Sequence, residues 1–337
     1  MTSVPPPLPV PELPPRLILD LATKCNLRCK MCPVWGSDDE AAIDSVKGVM
    51  ALENARKVLD EVAAARPLVH PAMYGEPLLA PAFREVVTEV VARGFAIAIN
   101  TNGLALTEEM ARFLVESGVN SVSVSIDAVT PETLLEIRGI DRLDKIEDGV
   151  HRLLAARGDN LTPRIGVSYT LQDANTHEEE AFIARWTPLV DVVRIGHVFR
   201  DGAFQDLTAP ERRTPCGALY LTLPVHHDGT ATVCCLDSFR ETNMGNVFES
   251  SVKDVWLGEK FQQARAWHER GEYDKLPICA KCNGWVQFLF EEEVKDGLLI
   301  RRSPEFTYYN RLDRQENWTP ELSGGHEVQR SDGAGGQ

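Results

Sequence analysis

The chain has 337 residues, 43% hydrophobic and 25% charged, with a formal charge of −15 and a pI near 5.0. It is long enough for about two domains with a substantial core. Its acidity excludes nonspecific nucleic-acid binding, which needs a basic face to displace counterions from phosphate. No run approaches the ~18 consecutive apolar residues of a membrane span, and the start lacks the basic-then-apolar order of a signal peptide. Eight cysteines without an export signal point to metal or redox chemistry in a cytoplasmic protein, not to disulfides.

Residues 1–15 carry seven prolines and no helical period, which predicts a disordered arm. Apolar runs at 16–21, 68–73, 95–99, 120–126, 165–170 and 191–196 predict strands. Amphipathic stretches at 51–65, 81–93, 107–117, 142–156 and 177–187 predict helices between them. Such alternation implies parallel βαβ units, and six strands fall short of the eight of a closed barrel. From about residue 205 Gly, Asp and Thr become frequent, and Asp201-Gly202 and Pro210 mark a boundary. The expected plan is an arm (1–15), a barrel (16–205), a small α+β domain with closing helices (206–317) and a disordered tail (318–337). Residues 286–315 are expected to be helical, with Trp285, Phe288, Phe290, Tyr308 and Tyr309 as candidate walls.

In parallel α/β folds ligands sit at the carboxyl ends of the strands. After the first strand come Cys25, Cys29 and Cys32, spaced C-x3-C-x2-C. Three thiolates on one tight loop can hold three irons of a [4Fe–4S] cube and leave the fourth open. Zinc sites usually pair two C-x2-C units instead. After the second strand comes Tyr74-Gly75-Glu76-Pro77, after the third Asn100-Thr101-Asn102-Gly103, after the fourth Ser125-Ile126-Asp127. Carbonyls and a carboxylate at Glu76 suit an ammonium, and Arg138, on the next helical segment, suits a carboxylate. Tyr169, His197 and Arg200 follow the fifth and sixth strands as candidate proton acceptors. His226 and His227 are further candidates.

The cysteine triad and the ordered strand-end motifs resemble the radical S-adenosylmethionine (SAM) superfamily, with Met31 where an aromatic residue is usual. The resemblance implies a partial (β/α)6 TIM-like barrel, SAM bound to the open iron, and SAM contacts at Met31, Tyr74, Gly75, Glu76, Asn100, Asn102, Ser125, Asp127 and Arg138. It also implies a flavodoxin- or ferredoxin-type reductant and a 5′-deoxyadenosyl radical that takes a hydrogen atom from the substrate. Farther on, Gly229-Thr230-Ala231-Thr232-Val233-Cys234, Met244-Gly245-Asn246-Val247, Val255-Trp256 and a closing Cys279-x2-Cys282 resemble the SPASM/twitch extension. That likeness implies a second, auxiliary [4Fe–4S] cluster on Cys216, Cys234, Cys279 and Cys282. A four-thiolate zinc site would use the same residues.

Cys235 is left over, as a buried neighbour, as the true ligand in place of Cys234, or as a hydrogen donor. A fully ligated auxiliary cluster suits an electron acceptor. The domain plan resembles alcohol oxidation of the 2-deoxy-scyllo-inosamine dehydrogenase type in antibiotic biosynthesis. Redox-neutral epimerisation with Cys235 as donor, peptide modification, and a non-enzymatic iron–sulfur sensor or scaffold stand as alternatives. The substrate is accordingly a small molecule or a peptide.

Overall fold

The computed structural model describes residues 9–317; the expected tail (318–337), the first eight residues of the arm and the Phe288 side chain lie outside the described residues. Six parallel strands form the barrel wall: β1 (Arg16–Leu19), β2 (Leu68–His70), β3 (Ala96–Thr101), β4 (Ser121–Ser125), β5 (Arg164–Leu171) and β6 (Val192–His197). They lie in sequence order in one sheet, each paired parallel to the next. β7 (Thr222–Val225) pairs parallel with the free side of β1. The short strands β8 (Thr230–Ala231) and β9 (Gly245–Asn246) follow it antiparallel. Beyond β6 the sheet continues antiparallel through three strands, β12 (Phe306–Arg311), β11 (Leu298–Arg302) and β10 (Glu291–Lys295).

The helices between the strands bury one stripe each. In helix Phe83–Ala92, Phe83, Val86, Val87 and Val90 recur at helical spacing and are buried. Helix Pro131–Arg138 starts on Thr130, whose side chain accepts from the Thr133 amide, and ends at Gly139 with φ 74°; glycine takes that left-handed angle without a Cβ penalty. Side chains alternate across a strand. Leu17 and Leu19, Ile97 and Ile99, Val122 and Val124, Ile165 and Val167, Val193 and Ile195 join the main apolar cluster with the helices. The opposite face carries Asn100, Ser123, Ser125, Ser168 and Arg194 and is polar. Among the described residues no helix is long and apolar enough to cross a membrane.

Two expectations are corrected. Residues 9–15 do not form a disordered arm. The Pro11 carbonyl accepts from Trp256 Nε1 at 2.9 Å, the Pro15 carbonyl accepts from the Leu68 amide at 3.0 Å, and Glu12 pairs with Lys253. The closing segment is a meander of strands, not helices. Asp296 and Gly297, at φ 50° and 77°, make a two-residue turn of the kind that joins twisted antiparallel strands. Only single 3₁₀ turns at Gly284–Phe288 and Leu312–Asn317 flank it.

Candidate active site

The loops after the first five strands are laced together. Glu76 is buried, and its carboxylate accepts from Thr101 Oγ1 at 2.6 Å, the Asn102 amide at 2.7 Å and the Leu78 amide at 3.2 Å. Its own amide donates to the Lys24 carbonyl at 2.7 Å. Asn102 Nδ2 donates to Asn26 Oδ1 at 2.7 Å and approaches Cys25 Sγ at 3.9 Å. A Cβ on Gly75 would stand 1.8 Å from the Ala22 carbonyl oxygen, so only glycine lets these loops meet. Gln172 Nε2 lies 3.2 Å from Met31 Sδ.

Glu76 is therefore a tie between loops, with both carboxylate oxygens engaged inside the protein. Asp127 behaves alike. Wholly buried, it accepts from Arg138 Nε at 2.9 Å and Nη2 at 2.5 Å through Oδ2, and from the Thr170 amide at 2.7 Å through Oδ1. Arg138 is committed to this ion pair and faces the thiol loop with its remaining positive field, which favours the thiolate of Cys29. Ser125 Oγ accepts from Ser168 Oγ at 3.1 Å on the barrel's inner face. Asn100, on the same face, is exposed.

The thiol loop suits bound metal. The Leu27 amide donates to Cys25 Sγ at 3.4 Å and the Trp35 amide to Cys32 Sγ at 3.3 Å. Burial pushes the Cys29 thiol up to about 11; a cluster's charge offsets that cost, since a coordinating thiol is deprotonated outright. In the C-terminal region burial likewise pushes Cys216 and Cys279 up to about 12. Cys216 feels the fields of Cys282 and Cys279, and Cys234 feels that of Cys216, so the four thiols are neighbours. Among the described residues no three His, Cys, Asp or Glu side chains stand close enough to hold a single metal ion.

Tyr74 joins the two thiol groups. Its hydroxyl donates to the Cys235 carbonyl at 2.7 Å, and its own carbonyl accepts from Trp35 Nε1 at 2.8 Å. Cys235 lies within electrostatic reach of Arg16 and Glu305.

Four expected proton acceptors stand elsewhere. Tyr169 is fully buried on the helix side of β5, stacked 4.6 Å from Phe182, and donates to the Asn175 carbonyl at 2.6 Å. His197 shares the parity of Val193 and Ile195, opposite Arg194. His227 Nε2 lies 3.2 Å from the Val46 carbonyl oxygen, and His226 is buried against Thr232. Arg200 lines a cleft of about 360 Å³ with Lys30, Met31, Ile137 and Gln172, beside the thiol loop. Sequence reasoning missed Arg194 and Glu305. Arg194 lies in register with Ser168 and Tyr308. Glu305 is 5% exposed, and burial pushes its carboxyl up to about 8.

Comparison with known proteins matches this geometry. The radical SAM superfamily model covers residues 20–183, and the SPASM iron–sulfur cluster-binding domain covers residues 216–283. The chain carries a radical SAM domain followed by a SPASM domain. These domains bring SAM with a [4Fe–4S] cluster and auxiliary iron–sulfur chemistry. A cofactor-modifying protein for tungsten-containing aldehyde ferredoxin oxidoreductase from Pyrococcus furiosus is 26% identical over 79% of this chain and 86% of its own length. A GTP 3′,8-cyclase from Aeromonas hydrophila is 28% identical over 55% of this chain and 56% of its own. BtrN, solved with AdoMet and 2-DOIA, superposes with a TM-score of 0.53 at 19% identity, over 80% of this chain and 93% of BtrN. Streptococcus suis SuiB, solved with its precursor peptide SuiA, gives 0.59 at 12% identity, over 82% and 72%. The radical SAM–SPASM fold is common to all of these structures.

Proposed function

We propose that this radical SAM–SPASM protein oxidises a secondary alcohol of a small polar substrate, of the cyclitol or sugar type, to a ketone. One observation carries the reading: Tyr74 ties the Cys235 segment of the second thiol group to the Trp35 loop of the first. On this reading Cys25, Cys29 and Cys32 hold the SAM-binding cluster, and Cys216, Cys234, Cys279 and Cys282 hold one auxiliary cluster. When bound, SAM and the clusters supply a hydrogen-abstracting radical and an electron sink. The protein's own part is positioning. Glu76, Asn102 and the Asp127–Arg138 pair fix the loops around SAM, and the inner row of Ser125, Ser168 and Arg194 orients the substrate. Glu305, buried beside Cys235, is placed to receive the hydroxyl proton.

A second reading, redox-neutral epimerisation, draws on Cys235 lying within electrostatic reach of Arg16 and Glu305, with its thiol as the hydrogen-atom donor to a carbon radical. The test is anaerobic turnover of reconstituted protein with dithionite, SAM and a panel of secondary-alcohol cyclitols in D₂O. Ketone equimolar with 5′-deoxyadenosine supports oxidation. Deuterium at an inverted carbon, lost in Cys235→Ala, supports epimerisation and overturns it.

A further inference from the structure

The barrel interior carries positive charge in a chain whose formal charge is −15. Arg16, on β1, sends its guanidinium inward toward Tyr308 and Cys235. Its Nε is buried and has no hydrogen-bond partner. Arg194, on β6, lies with its Cζ 5.0 Å from the Phe306 ring centroid and 6.0 Å from that of Tyr308. Those rings hold the guanidinium as a shelf without neutralising it. Among the described residues no carboxylate oxygen lies within ion-pair distance of either arginine. Glu305 is within electrostatic reach of Arg194 but beyond that distance. Most other arginines in buried or half-buried settings have a carboxylate: Arg138 with Asp127, Arg157 and Arg314 with Asp191.

A buried guanidinium with an orphaned nitrogen at Arg16 and a half-buried one at Arg194, neither paired with a carboxylate, form half of a binding site. We infer that Arg16 and Arg194 together bind an oxyanion of the substrate, a phosphate monoester or a carboxylate. The inference rests on the alcohol-oxidation reading for the site's use, but its chemistry concerns binding alone. Both arginines sit on the strands, deeper in the barrel than the strand-end cysteine loop. An anion anchored there leaves the rest of the molecule, with its hydroxyl carbon, pointing toward SAM. Guanidinium forks match both anions bidentately, so the substrate class narrows to acidic polyols: sugar or cyclitol phosphates, or sugar acids. Amine-bearing cyclitols without an acid group meet two like charges and are disfavoured.

The test is calorimetric binding to reconstituted, SAM-loaded protein of four probes matched in ring: glucose 6-phosphate, glucuronate, glucosamine and glucose. At least one anion should bind tenfold or more tighter than glucosamine and glucose. A phosphate preference assigns a phosphate ester, a glucuronate preference a carboxylate. Arg194→Gln should weaken the anion tenfold or more, and Arg194→Lys should restore part of it. Arg56→Gln, which removes an equal charge from the surface pair with Glu89, should change nothing. Because Arg16→Gln relieves a buried charge and can alter folding, Arg194 is the primary variant. Glucosamine binding as tightly as the anions, no discrimination or binding among the four, or equal loss in Arg56→Gln overturns the inference. None of these outcomes depends on ketone formation, so failure of the oxidation reading is seen separately.

Discussion

Removing the Arg138 guanidinium tests whether the strand-end loops depend on one buried ion pair. Asp127 is 0% exposed and Arg138 5%. Two N–H groups of Arg138 converge on Asp127 Oδ2, at 2.9 and 2.5 Å. In Arg138→Gln the carboxylate keeps the Thr170 amide and loses its counter-charge. Breaking one side of a buried pair costs about 3–5 kcal/mol, because the remaining charge is stranded. For a chain of this size that is a fall in Tm of roughly 4–7 °C. Asp127→Asn/Arg138→Gln removes both charges, and asparagine tolerates the positive φ of 65° at position 127. The double variant should therefore recover about half of the loss. The assay is anaerobic thermal unfolding by circular dichroism at matched iron content. An Arg138→Gln Tm within 2 °C of wild type, or a double variant as unstable as the sum of its singles, refutes the reasoning.

Other consequences are equally direct. Gly75→Ala forces a Cβ onto the Ala22 carbonyl; SAM binding by equilibrium dialysis should fall at least tenfold while far-UV circular dichroism stays native. Cys25→Ala should abolish dithionite-driven 5′-deoxyadenosine formation and halve iron content, whereas Cys216→Ala should spare cleavage and block net oxidation; unchanged ketone yield in Cys216→Ala rules out an electron-accepting role. Tyr74→Phe removes one hydrogen bond of about 1 kcal/mol and should lower Tm by about 1–2 °C, with the auxiliary cluster's EPR signal shifted if the Cys235 segment relaxes. Burial holds the His226 imidazole down to about 4 against an ordinary 6.5. The unfolded chain then takes a proton that the folded one refuses, so this contribution is whole above pH 6.5 and is lost as pH falls toward 4. His226→Phe should flatten the stability profile across that window in urea titrations.

Much of the fold was legible because alternating apolar runs and helical stripes report local geometry directly. All six barrel strands lie where the runs place them, and the cysteine spacings sit on the expected loops. What failed was parity at strand ends. Tyr169, near the end of β5, and His197, at the end of β6, fall on the helix side, and a single residue of register decides that. Glu76, Asp127 and Arg138 were found by motif, but their roles were not: their partners, Thr101, Asn102 and Thr170, are set by loop packing. Arg194 and Glu305 come within electrostatic reach across 111 positions of sequence, through a strand pairing that no local pattern announces. The hairpin at Asp296-Gly297 did carry a readable turn signal, masked by the acidic run before it.

That acidic run has a consequence for association. β10 is the outermost strand on its side of the twelve-stranded sheet, and an unpaired edge of this kind invites another chain to add on. Glu291, Glu292, Glu293 and Lys295 are all exposed along it, and Glu292 and Glu293 pair with Arg301 and Arg302 of the neighbouring strand, so a second copy docking edge to edge would bury charged side chains on both faces. The exposed Val294 beside them is shielded by the same charge. The strand that closes the barrel's flank thus also refuses to template a fibre, by placing charges that stay hydrated where hydrogen-bonding capacity is left over.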